Sequence, residues 1–257
     1  MKYTLSNPPL TCILTNSYTY AVSKGRLEPE GIVWTTSGRA GARLCTYMKP
    51  ANSNVNHEYL IERLGSSKLN NDKIQRGYHY WIGKLNNGHI TSVQGHPLNR
   101  RARACGQGVR TNFDKTHLQI CICEDRLKDK EYCRSVFNEA CNLSAYLCRL
   151  YNIPVYKVIG HDEAYKMGGA YVPEGPGYWF EKFGFSMELA RKEISHLLFD
   201  FNQKFWDNNY EVDDKVYLIP RSSDLIKENI NNSYYNKENK IVRIIDNKVV
   251  ELDSNIL

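Results

Sequence analysis

No stretch of this 257-residue chain reaches the roughly 18 consecutive apolar residues of a membrane-spanning helix, so no span is expected. The N-terminus, Met1-Lys2-Tyr3-Thr4-Leu5-Ser6-Asn7-Pro8-Pro9, lacks the apolar core of a secretory signal, and synthesis in the cytoplasm without export by a signal peptide is expected. Eight cysteines are present, yet no pair has CxxC spacing, which removes the zinc-finger signature. Cys133, Cys141 and Cys148 instead recur on the apolar face of a predicted helix, where a reduced cysteine behaves as a small hydrophobe. Acidic residues are missing between Asp72 and Asp114, a stretch that holds Arg100, Arg101, Arg103 and Arg110. No nucleic-acid-binding motif accompanies these arginines, so nucleic acid is not an expected partner.

What is present reads as an ordinary globular composition, with 42% hydrophobic and 24% charged residues. The net charge of +6 is unevenly shared. Residues 210–257 carry seven Lys/Arg against nine Asp/Glu, a net −2, which leaves +8 on residues 1–209. Such a basic unit suits an anionic surface through long-range attraction. Short β-branched and aromatic runs bounded by turn residues predict strands at 31–36, 78–85, 89–94 and 117–123, with Asn86-Asn87-Gly88 as a hairpin turn. Apolar spacing predicts helices over 131–151 and over 187–206, the latter capped by Ser186, and a weaker one at 57–64. Beyond Asn208 the texture changes to strand-like alternation at 210–219, 240–245 and 248–252, interrupted by an Asn-rich stretch at 228–239.

Several spaced segments carry a resemblance. Gly31-Ile32-Val33-Trp34-Thr35-Thr36-Ser37-Gly38 is an apolar strand ending in a small polar turn. It is followed by Leu44-Cys45-Thr46-Tyr47-Met48-Lys49-Pro50, Tyr80-Trp81-Ile82-Gly83, the loop Pro97 to Gly108, and Ile122-Cys123-Glu124-Asp125. His161 with Tyr165-Lys166, and Trp179-Phe180 with Lys182-Phe183-Gly184, close the series. The chain resembles the type 2 N-acetylmuramoyl-L-alanine amidases of phage endolysins and bacterial autolysins over about residues 5–205. The resemblance implies a central mixed β-sheet flanked by helices over residues 1–206. A small Src-homology-3-like β unit, of the kind that binds cell walls, is implied at 210–257.

The same resemblance implies a zinc site. Zinc would lower the pKa of a bound water to about 7 and polarise the scissile carbonyl. His161 falls on the second ligand position. Thr35 stands where the first histidine belongs, and a neutral hydroxyl is a poor zinc ligand. Gly175 and Tyr178 occupy the candidate third-ligand positions, and Cys121 the position of the proton-shuttle glutamate. These five residues are expected to share one groove, with Trp34, Trp179, Lys166 and Arg101 lining it. One histidine cannot hold catalytic zinc, so no cofactor is expected. Replacing Thr35 and Tyr178 by His, Gly175 by Asp and Cys121 by Glu is expected to rebuild the first shell.

Three functions follow from this reading. The first is a catalytically degenerate amidase that binds peptidoglycan of the Gram-positive wall, reached after lysis, through a holin, or in a phage particle. The second is an active amidase rebuilt around Cys121 and His161, as a thiolate–imidazole pair or as a new metal site with His79 or Glu174. The third is a structural subunit of a phage tail or related particle.

Overall fold

The computed structural model describes residues 1–23, 25–38, 44, 75–85 and 87–207, together with the backbone of 215–217, 238–245 and 248–253. The expected helix at 57–64, the Tyr47–Pro50 motif and residues 228–237 of the Asn-rich stretch lie outside these residues.

Gly31–Thr36 (β2) is buried along almost its whole length, which its unbroken apolar run Ile32-Val33-Trp34 predicts for a strand covered on both faces. It pairs in parallel with His117–Ile122 (β5) on one side and Val158–Gly160 (β6) on the other. Tyr80–Lys84 (β3) and Ile90–Gln94 (β4) form an antiparallel hairpin. Its turn places Gly88 at φ +84°, a conformation that glycine reaches without steric cost. Leu10–Thr11 (β1) pairs in parallel with β4, which completes a six-stranded mixed sheet in the order β1-β4-β3-β5-β2-β6. The expected mixed sheet flanked by helices is therefore the architecture observed, with 31–36 as an interior strand between β5 and β6.

Two long helices cover one face. Lys130–Tyr151 (α2, after the short helix α1 at Tyr18–Val22) begins on Asp129, whose carboxylate accepts from the N–H groups of Glu131 and Tyr132. It stops at Asn152, which takes the left-handed conformation at φ 53°. Cys133, Cys141 and Cys148 are buried on it as free thiols among Val136, Phe137, Ala140 and Leu147, as the apolar spacing predicts. After the short helices His161–Lys166 (α3) and Gly177–Lys182 (α4) comes Met187–Asp207 (α5). Ser186 receives the Leu189 N–H at 3.1 Å and caps its start. No described helix is long and apolar enough to cross a membrane.

Alternation along β2 divides its neighbours between two cores. Ile32 and Trp34 face α2, where Trp34 meets Phe137 and Phe180 edge-on and donates its indole N–H to Ser144 at 2.9 Å. Val33 faces the opposite side with Ile159, Ala164 and Cys105. Thr35 follows Val33 by two residues and shares that second face. This division positions the candidate site.

Residues 215–217 (β7), 238–245 (β8) and 248–253 (β9) form a separate three-stranded antiparallel sheet in that order. The three expected strands are present there, and the connecting segments that would close a Src-homology-3-like unit fall outside the described residues.

Candidate functional site

Parallel pairing brings the sequence-distant positions together. Thr35 is register partner to Cys121, and Cys121 to Trp81, which makes one row across β2, β5 and β3. On the other side Trp34 pairs with Gly160, so the next position in register sets His161 beside Thr35. Thr35 and His161 lie on the same side of the sheet, at the carboxyl ends of parallel strands.

The strand–helix junction that carries His161 is held by charged groups. The Gly160 N–H donates to Glu163 at 2.9 Å, and Arg191 of α5 grips both oxygens of Glu163 at 3.0 and 3.1 Å while donating to the Val158 carbonyl. A two-pronged arginine–carboxylate pair fixes orientation as well as distance. His161 is 1% exposed, its Nδ1 has no hydrogen-bond partner, and burial lowers its pKa. It stands as a neutral imidazole with a free nitrogen.

Around it the donors thin out. Thr35 offers a buried hydroxyl. Cys121 is fully enclosed by Leu14, Tyr78, Trp81, Val93 and Cys123, and burial holds its thiol well above the usual thiol range. It is a packing thiol in this setting, without the thiolate that covalent catalysis needs. Gly175 has no side chain to give. A Cβ there would collide with the carboxylate of Asp162 and stand 2.6 Å from its backbone nitrogen. His79 has both ring nitrogens engaged: Nδ1 accepts the Gln119 N–H at 2.8 Å and Nε2 donates to the Arg100 carbonyl at 2.9 Å.

Tyr178 is displaced from the Thr35 face. Its hydroxyl bonds the Thr36 hydroxyl at 3.3 Å and the carboxyl of Glu124, so it spans the strand ends. Burial, with the Glu124 contact next, pushes its phenol up to about 12. Burial also raises the Glu124 carboxyl. At the groove mouth Arg76 donates to Glu174 at 2.6 Å, both half-exposed, and this contact raises the Arg76 pKa. Glu174, one residue from Gly175, thus has its carboxylate committed to an arginine. Its backbone lies against the His161 ring, as does that of Ala104.

Two expected groove residues lie elsewhere. Trp34 and Trp179 are both fully buried in the core beneath α2, because strand alternation sends Trp34 to that side and α4 packs Trp179 against Tyr132. Lys166 is exposed in the last turn of α3. Arg101 lies across Gly25, whose missing side chain leaves room for the guanidinium. Glu124 and Arg76 were not singled out from sequence. Glu124 lies within the Ile122-Cys123-Glu124-Asp125 segment, whereas nothing local marks Arg76.

A mainly parallel sheet with a groove at the carboxyl ends of its interior strands, and a histidine at a strand–helix junction there, defines an α/β domain. The sequence profile of the N-acetylmuramoyl-L-alanine amidases matches residues 25–174, and the chain belongs to that family. Solved structures similar to it include a point mutant of PlyL, at 18% identity over 73% of this chain and 98% of the other, TM-score 0.48. The Staphylococcus aureus hydrolase AmiA with its ligand is 16% identical over 79% of this chain and 83% of its own, TM-score 0.48. A mutant endolysin from Bacillus subtilis is 17% identical over 72% and 97%, TM-score 0.47. No curated protein matches the chain.

The family is typically zinc-dependent, and the donors here can be weighed against that metal. Catalytic zinc takes three protein ligands and a water. The unpartnered Nδ1 of His161 would serve as one. Thr35 and Gly175 supply no soft or anionic donor, and Tyr178 is bound to Glu124. Among the described residues no three His, Cys, Asp or Glu side chains gather to hold a metal. As a donor set these residues do not fit catalytic zinc. For the expected rebuilding of a first shell, an aspartate at 175 would require Asp162 to shift, and a glutamate at 121 would enter an apolar cluster.

Proposed function

We propose that this protein binds peptidoglycan through the amidase groove without hydrolysing it. What supports this reading is that, among the described residues, no three zinc donors gather at His161, which stands beside Thr35 and Gly175. The exposed Arg76–Glu174 ion pair at the mouth, worth little in water, can exchange its partners for the carboxylates and amines of a muropeptide stem. Tyr178 and Glu124 offer a hydroxyl and a carboxyl at the strand ends. The three-stranded sheet within 210–257 is proposed as an accessory wall-binding or interaction unit. The wall of a Gram-positive host is the proposed partner, met after lysis, through a holin or in a phage particle.

Co-sedimentation of the full chain with purified peptidoglycan tests this reading. The protein is expected to pellet with the wall at low salt, and no muropeptide with a free lactyl carboxyl is expected in the supernatant. Arg76→Ala and Glu174→Ala are each expected to weaken pelleting. Failure to pellet at low salt would count against the binding role, and release of cleaved stems would count against the loss of turnover.

A further inference from the structure

Besides the groove, the molecule presents a second built surface. Arg100, Arg101 and Arg103 leave a loop that is pinned at two backbone bridges, Arg26 to Arg100 and Gly77 to Arg103. Arg101 and Arg103 are exposed and Arg100 is half-buried. Arg100 lies 4.7 Å over the ring of Tyr20, and Arg103 5.5 Å over that of Tyr18, so α1 supplies a tyrosine platform for each. Arg101 crosses Gly25, next to the exposed Arg26. Stacking on a ring fixes the plane of a guanidinium and leaves its N–H fork free for an anion.

Ion pairing leaves this face largely unneutralised. Arg26 meets Glu28 at 3.5 Å with both side chains exposed, an arrangement worth little in water. Among the described residues, no carboxylate pairs with Arg100, Arg101 or Arg103. The Asp114 carboxylate, which Arg103 influences, is turned inward onto the N–H groups of Ala104, Cys105 and Gly106. The sequence supplies no acidic residue from 73 to 113 that could compensate. The strip also reaches the groove: Gly77, bridged to Arg103, follows Arg76, and Ala104 lies against His161.

We propose that Arg26, Arg100, Arg101 and Arg103 form a docking face for the linear poly(glycerol phosphate)-type polymer of the wall, beside the peptidoglycan groove. The choice of this polyanion rests on the peptidoglycan reading of the groove. Several guanidiniums in a row, each held by a ring, a glycine gap or a backbone bridge, match a chain with one phosphodiester per repeat. A single small anion would need only one of them. Phosphate contacts of this kind release counterions, so affinity falls with salt in proportion to their number.

The experiment titrates the full chain with purified poly(glycerol phosphate), with peptidoglycan stripped of phosphate polymer, and with a double-stranded oligonucleotide. Combined Arg100→Ala, Arg101→Ala and Arg103→Ala substitution is expected to weaken polymer binding about a hundredfold. It should reduce the salt slope by about two, from roughly 0.7 per lost contact, while binding to stripped peptidoglycan persists. The triple Lys variant keeps the charge and should retain most polymer affinity, which separates lost contacts from lost folding. Polymer binding that survives the Ala substitutions overturns the proposal. So does a wild-type chain that binds stripped peptidoglycan but no polymer, and in that case the groove reading stands. Tighter binding of the oligonucleotide than of the polymer assigns the face to nucleic acid and overturns it too.

Discussion

Between pH 6.5 and pH 5 the protein is expected to lose several kcal/mol of stability, because its core holds histidines that cannot take up protons while folded. Burial lowers His79 to about 3, and His96 and His117 each to about 4. The unfolded chain titrates these rings near 6.5, so in the window below that value it binds protons that the native state does not. Stability is therefore highest above about pH 6.5 and falls as pH falls. The loss approaches roughly 2 kcal/mol per ring at pH 5. His161 shifts in the same direction. Asp114 and Glu124, whose carboxyls are raised by burial, act in the opposite sense, two groups against four. His79 and His96 face each other with ring centres 5.6 Å apart, so a charge on either opposes one on its neighbour. Urea titrations at half-unit pH intervals measure the effect. A midpoint unchanged between pH 6.5 and 5 would show that these rings protonate freely in the native fold.

Glu139→Ala is expected to cost about 3 kcal/mol, the low end for breaking a buried charge pair, since the partner Lys2 side chain is 35% exposed. Glu139 sits within α2 at 6% exposure and gathers three donors: Lys2 Nζ at 2.6 Å, Ser92 Oγ at 2.7 Å and the Tyr3 hydroxyl. The same Tyr3 oxygen accepts the Ser92 N–H at 3.2 Å, so one carboxylate ties the first residues of the chain to α2 and β4. Alanine would leave the ammonium and two hydroxyls without that acceptor and open a void among them. For a domain of this size the melting temperature should fall by about 6–12 °C. Glu139→Gln keeps one acceptor oxygen and should recover part of the loss. Thermal melts of both variants decide it; equal, small shifts would mean the network contributes little.

Much of the fold was legible because its signals are long or periodic. The 3.6-residue spacing over 131–151 and 187–206 predicted helices that begin or end within a residue of Lys130–Tyr151 and Met187–Asp207. The apolar run at 31–36 gave β2 residue for residue. The helices Tyr18–Val22, His161–Lys166 and Gly177–Lys182 span five or six residues each, too short for a period to register, and they escaped. The site was legible where register decides it. Thr35, Cys121 and His161 come together because parallel strands carry them to the same edge. It was illegible where direction decides it. Trp34 adjoins Thr35 in sequence and, by the two-residue alternation of a strand, points the other way. Arg76 and Glu174 are 98 residues apart and meet only through the tertiary fold.

Zinc titration of the metal-free full chain by calorimetry, with cleavage of peptidoglycan measured on the same samples, tests the central claim most directly. A groove whose described residues bring no three zinc donors together at His161 predicts no one-to-one zinc binding and no released stems at any zinc concentration. One-to-one binding abolished by His161→Ala, with lactyl-amide cleavage appearing alongside it, would contradict the account.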